Sequence, residues 1–322
     1  MKGIGIILVM LGHTHTFYGG CLMPNWFLHG IESFHVPLFF LIAGYFSKPY
    51  SADTWKQSIQ KSFDRLVIPY LIVAGVIIVY NLFIAIKRQA FEPWYALVWS
   101  YLIDDASNRF ADSLNLPLDM GVGPIWFLIA LWWSKTIFLF ISRTRKHYIW
   151  ICVVISFATV YLSKLFPLPF GLWQGLTALG FVSIGYWCRH NIVPLWLKII
   201  CIVSWVVALA VTSVSPYASS YPIYPLNLLG ACGGTYCVYL VSLLIKKIPF
   251  VTALLTKFGE RTMEILSLHT IDMRCNAIRQ LLKHTMHSIY FTYPWICLII
   301  EYVISLVCAF SVAYIKDRKQ NL

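Results

Sequence analysis

Charge is what this sequence has least of. Only 12% of its 322 residues are charged, about half the roughly 25% of soluble domains, while 59% are hydrophobic and the mean hydropathy is +0.71. That balance excludes a water-soluble core. Cysteine pairing is also missing. The nine cysteines show no two-residue spacing of the kind that disulfide frameworks or zinc sites use, and most fall inside apolar runs, so they read as small apolar side chains. Two further absences limit the architecture. No low-complexity linker divides the chain and no internal repeat is evident, which argues for one integral domain over 1–322 and against an inverted-repeat transporter.

What the sequence does have is apolar runs of membrane length. About 20 apolar residues in a helix cross a hydrocarbon layer of roughly 30 Å, and unpaired backbone amides cannot be left in lipid. Ten candidate runs lie at about 3–20, 31–48, 66–86, 123–142, 148–165, 171–188, 193–213, 224–245, 261–282 and 291–314. The ninth is the weakest by hydropathy, because it carries Glu264, His269, Asp272, Arg274 and Arg279. It is kept because the charge topology requires it. The fold class expected is therefore all-α, a polytopic membrane bundle of about ten helices. The first run is followed by further spans, so no cleavable signal peptide is expected.

Basic residues fall in alternate loops. One side holds Lys48, Lys56, Lys61 and Arg65, then Arg143, Arg145 and Lys146, then Arg189, then Lys246, Lys247 and Lys257, and finally Lys316, Arg318 and Lys319 in the tail. The other side is nearly free of them: its long segment 87–122 offsets Lys87, Arg88 and Arg109 with Glu92, Asp104, Asp105, Asp112 and Asp119. The positive-inside rule then makes both termini cytoplasmic. A net charge of +12 spread over loops, with no basic stripe, points to anionic lipid headgroups as the counterpart and away from nucleic acid.

Ionisable residues inside a bilayer are costly unless paired or hydrated, so each is a functional candidate. Lys2 stands at the cytoplasmic edge of the first span, and His13 lies roughly 16 Å deeper at about 1.5 Å per residue. His35 begins the second span about one turn below the outer surface, and the short connection makes a His13–His35 pair across adjacent helices the expected arrangement. Each could equally serve only as an interhelical hydrogen-bonding group. His269 reaches a similar level from the ninth span. Glu264, in the first turn of that span, has a structural reading through the helix dipole and Arg261 as well as a substrate-binding one.

Lys135 and Glu301, both at mid-span depth, are expected to serve as structural ion-pair members. Lys61 and Arg65, four residues apart at the cytoplasmic entry of the third span, would project from one face and suit a phosphate, or else are ordinary positive-inside charge. Trp126, near Phe127, Trp132 and Trp133, fits an interfacial aromatic belt or a substrate contact. His284 and His287 are three residues apart with no third partner close in sequence, so no metal site is expected.

The ordered motifs resemble a known family. They run Lys2-Gly3-Ile4 to Leu11-Gly12-His13, Phe34-His35-Val36-Pro37-Leu38-Phe39-Phe40 with Ala43-Gly44-Tyr45-Phe46, and Arg65-Leu66 with Ile68-Pro69-Tyr70. Gly123-Pro124-Ile125-Trp126-Phe127-Leu128 and Gly259-Glu260-Arg261 leading to Leu266-Ser267-Leu268-His269 complete the set. The chain resembles the acyltransferase-3 family of membrane O-acyltransferases, in its sugar O-acetylase-like branch. The resemblance implies a ten-helix enzyme of the inner or plasma membrane that takes an acyl group, most often acetyl from cytoplasmic acetyl-CoA, and places it on a hydroxyl of an envelope or exported glycan. The family signature of a basic residue followed by His maps to Lys2 and His13. Fewer residues precede Lys2 than is usual in the family, and no esterase-like domain follows the tenth span, so transfer is expected to finish within the membrane domain.

The expected chemistry is base catalysis of acyl transfer, because a sugar hydroxyl is a poor nucleophile at neutral pH. His13 would take the hydroxyl proton, His35 would orient it or hold the oxyanion, and His269 is the reserve candidate. Lys61 and Arg65 would hold the CoA phosphates, with Lys2, Trp126 and Glu264 on the substrate side. The rival expectation is a transporter or flippase for a lipid-linked or polymeric glycan, in which the buried His, Lys135 and Glu301 would line a path.

Overall fold

A computed structural model describes residues 1–15, 23–87, 122–166, 168–216 and 219–320. The tail of the first expected span, Cys21, and the charges of the 88–121 segment lie outside the described residues. The helices are α1 (Lys2–His15), α2 (Asn25–Glu32), α3 (His35–Tyr45), α4 (Trp55–Lys87), α5 (Trp126–Ile141), α6 (Tyr148–Leu162) and α7 (Leu172–His190). They continue as α8 (Leu195–Val211), α9 (Tyr224–Ile245), α10 (Pro249–Glu260), α11 (Thr262–Cys275), α12 (Ala277–Thr285), α13 (His287–Thr292) and α14 (Pro294–Gln320). No strand occurs among the described residues.

Among the described residues, five segments are long and apolar enough to cross a membrane: Asn25–Tyr45, Trp55–Lys87, Gly123–Thr144, Tyr224–Ile245 and Pro294–Arg318. Lys2–His13, Tyr148–Leu162 and Leu195–Val211 are shorter apolar helices. Each expected run overlaps helix among the described residues, the ninth with two helices in place of one, and several bounds move for physical reasons. α3 starts at His35 rather than Ile31, after a turn in which Ser33 Oγ accepts a 2.8 Å hydrogen bond from Trp205 Nε1. Pro37 then falls in its first turn, where a missing N–H leaves no helical bond unmade. α4 begins eleven residues before the expected Leu66, because Trp55–Arg65 is helical but too polar for a hydropathy criterion. The expected cytoplasmic connection around Lys257 is itself helical, as α10.

The described residues form two compact units, Met1–Ile31 with Val238–Leu322, and Glu32–Cys237. In the second unit α7 is the central helix, packed by α3, α5 and α6. Its glycines explain how. Gly175, Gly180 and Gly185 are five residues apart, so each is rotated by about 140° from the last and faces a different neighbour. A Cβ on Gly175 would press on Trp133 of α5, one on Gly180 on Ser156 of α6 and Tyr224, and one on Gly185 on the Leu41 carbonyl of α3. Gly44 of α3 meets the Val182 carbonyl in the same way. Lipid supplies little hydrophobic drive between helices, so such backbone approach maximises the dispersion contact that holds them.

In the first unit α1 packs on α10 and α11, and α11 packs on α14. The expected ninth span is broken. Asn276 adopts the left-handed conformation at φ 56°, ending α11, and the Asp272 carboxylate accepts the Ile278 N–H at 3.3 Å, satisfying a free donor in the first turn of α12.

A side chain at Gly185 has nowhere to go, so Gly185→Val is expected to destabilise the second unit by about 2–3 kcal/mol. Gly75 has open space around its missing Cβ, and Gly75→Ala should be neutral or stabilising by about 0.5–1 kcal/mol. Monodispersity and thermal stability of the two variants in detergent check the contrast.

Candidate functional site

The site is built on α1 and α11. On α1, Gly3, Ile6 and Met10 are buried at helical spacing, and His13 continues the same stripe as a half-buried residue. Gly3 lets the start of α1 lie against the Leu255 carbonyl of α10. On α11, Ile265, His269 and Asp272 share one buried face. The two stripes bring His13 and His269 together, with ring centroids 6.3 Å apart and planes inclined by 38°. His269 is 3% exposed, and its Nε2 has no hydrogen-bond partner among the described residues. A buried nitrogen left in that state costs about 1–3 kcal/mol.

Ion pairs fix α11 against α14 on both sides of this point. Near its start, Arg261 pairs with Asp317 through both guanidinium nitrogens, and Glu264 lies 3.5 Å from Lys316. Beyond its end, Arg279 of α12 pairs with Glu301 at 3.0 Å, the side chains being 7% and 2% exposed. These contacts correct two expectations. Arg261 pairs with Asp317 while Glu264 pairs with Lys316, because the end of α14 lies beside the start of α11. Glu301 is indeed an ion-pair member, but its partner is Arg279, brought within reach by the break at Asn276. Glu264 thus has an ion pair of the kind its structural reading expects, with Lys316 as the partner.

Of the other expected residues, Lys2 belongs to the first unit and the rest to the second. Lys2 is exposed at the opposite end of α1 from His13. His35 is buried at the start of α3, in the second unit. Trp126, also in the second unit, is buried rather than presented as an aromatic belt. Lys135 is half-buried on α5. Lys61 and Arg65 are exposed one turn apart on α4, with no ion-pair partner among the described residues.

The same unit joins other basic residues to the loop between α3 and α4. Arg143 lies over the Tyr50 ring at 4.8 Å, the Tyr50 N–H donates to Ser142 Oγ at 2.9 Å, and Arg189 donates to the Tyr45 carbonyl at 3.2 Å. Sequence reasoning placed Arg143 and Arg189 on one side of the bilayer but gave no sign of Tyr50. It also missed the roles of Asp272 and Arg279, although both stood out as charges in the ninth run. Among the described residues no group of three or more His, Cys, Asp or Glu side chains converges as a metal site would.

The family model described as an acyltransferase domain, acyltransferase-3, matches residues 1–317. No curated protein and no solved structure matches the chain. The match runs across both compact units, and the helices it covers include five long and apolar enough to cross a bilayer, so this protein belongs to the acyltransferase-3 family and is a multi-pass membrane acyltransferase.

Proposed function

We propose that this enzyme moves an acetyl group from cytoplasmic acetyl-CoA to a hydroxyl of an envelope or exported glycan, and that it does so in the inner or plasma membrane. The observation that carries the reading is the His13–His269 pair, two imidazoles within 6.3 Å, one of them with a buried Nε2 that no described protein group satisfies. One hydroxyl can touch both rings at such a separation. His269 Nε2 then takes its proton while His13 orients it, a modification of the expected division in which His13 was the base and His35 its helper.

The step balances without an outside reagent. The hydroxyl oxygen attacks the thioester carbonyl as its proton passes to imidazole. The C–O bond forms and the C–S bond breaks, and the departing thiolate recovers the proton from the imidazolium, leaving an ester and free CoA thiol. Lys61 and Arg65, exposed and one turn apart, suit the CoA phosphates. Donor and acceptor then reach the imidazoles from opposite sides of the bilayer, and acetyl-CoA need never leave the cytoplasm.

His13→Ala and His269→Ala should each lower glycan acetylation by about 10²- to 10⁴-fold. The measurement is mass spectrometry of the surface polysaccharide, where each acetyl ester adds about 42 Da; wild-type levels with both variants would remove the assignment. Replacing Arg65 by Ala should raise KM for acetyl-CoA roughly tenfold, the weight of one charge-assisted phosphate contact, with kcat nearly unchanged. An unaltered KM in steady-state thiol-release assays would leave Arg65 as positive-inside charge.

A further inference from the structure

We propose that α10 is an interfacial helix that docks on anionic lipid headgroups, and that this docking sets the height and tilt of α1. The docking stands on α10 itself, whereas its effect on rate rests on the imidazole pair proposed above.

α10 is apolar on two sides. One side meets protein: the Leu255 backbone lies against Gly3 of α1, and Phe258 meets Phe310 of α14 with ring centroids 5.9 Å apart. On the other, Phe250, Ala253, Leu254 and Lys257 follow the i, i+3, i+4, i+7 spacing of a second stripe, in which Phe250 is 79% exposed and Leu254 42%.

The position of α10 indicates what covers that stripe. It follows directly on the span Tyr224–Ile245, where Val241 and Leu244 are exposed as lipid-facing residues are. Thr252 Oγ1 donates to the Ile245 carbonyl at 2.9 Å, which ties the first turn of α10 to the end of that span and so to headgroup depth. Lys246, Lys247 and Lys257 are exposed, with no ion-pair partner among the described residues. Glu260 is the only acid from 246 to 260, and Asp317 and Glu264 beyond it are engaged by Arg261 and Lys316. An exposed apolar stripe edged by lysines matches the boundary between acyl chains and anionic headgroups, the lysine stems lying along the first and the ammonium groups reaching the second.

The consequence for transfer is leverage. The start of α1 lies on α10 through Gly3 and Gly259, and His13 stands ten residues beyond Gly3, a rise of roughly 15 Å at 1.5 Å per residue. A tilt of about 5° at the base moves the ring by more than an ångström over that rise. A misplacement of about 1 Å is enough to cost roughly a hundredfold in rate.

The test uses the full chain, one copy per lipid nanodisc, in phosphatidylcholine alone or in an equal mixture with phosphatidylglycerol. Hydrogen–deuterium exchange across α10 should be slower in the mixture by roughly tenfold or more, since each lysine near an anionic surface weighs about fivefold. The mixture should also raise kcat for thiol release roughly three- to tenfold. kcat is the quantity to compare, because a negative surface repels acetyl-CoA and raises its KM. The triple variant Lys246→Gln, Lys247→Gln and Lys257→Gln should behave in both lipids as the wild type does in phosphatidylcholine. Lys246→Arg with Lys247→Arg and Lys257→Arg should restore both responses.

Wild-type exchange that ignores phosphatidylglycerol, or that slows only when two copies share a disc, would overturn the docking, the second result by making another copy the cover. A rise in kcat that survives in the triple Gln variant would place the lipid effect elsewhere and overturn the link to α1, as would lipid-dependent exchange with an unchanged kcat. Wild-type transfer by His13→Ala would instead remove the imidazole reading, and the exchange result would stand without it.

Discussion

The arrangement around His269 depends on the matching of charges between α11 and α14. α11 and α12, the two parts of the expected ninth span, are the least apolar of the helices assigned to an expected span, and a segment carrying Glu264, Asp272 and Arg274 would not remain among apolar helices by hydrophobic burial. It is held because Arg261 and Glu264 near its start meet Asp317 and Lys316, and because Arg279 just past its end meets Glu301. Buried ion pairs contribute little net stability against an apolar replacement, but they penalise every register that would separate the partners. With contacts flanking it on both sides, α11 has one permitted register against α14, and the imidazole between those contacts is placed accordingly.

The second unit is organised by steric fit instead. α7 has no charged residue before Arg189, and its neighbours are distinguished by where glycine allows the backbone to approach. The contrast is physical. Charge pairs specify the register of a polar helix, whereas small residues specify the distance and rotation of an apolar one. Both devices answer the same difficulty, that hydrocarbon does not drive one apolar helix toward another.

Much of this was legible in the sequence, and the misses have identifiable causes. The apolar runs located the helices because lipid demands length and hydropathy together, and the ordered motifs from Lys2 to His269 carried the family. The polar start of α4 and the whole of α10 were missed because amphipathic helices outside the hydrocarbon need no apolar run. The His13–His269 contact joins residues more than 250 positions apart in the chain, and such pairing follows from which stripes face each other, a property that spacing within one helix does not encode. Glu301 was recognised as an ion-pair member, but its partner depended on the break at Asn276, for which one Asn in a polar stretch was the only local sign.

That break also changes a length. With 14 residues, α11 rises only about 21 Å, which is short of a hydrocarbon layer of roughly 30 Å. Backbone that leaves the helical path before the layer ends has to face protein or water, since lipid cannot satisfy its amides. The polar stretch after Asn276 meets that requirement at Arg279, which faces Glu301 of α14 rather than hydrocarbon.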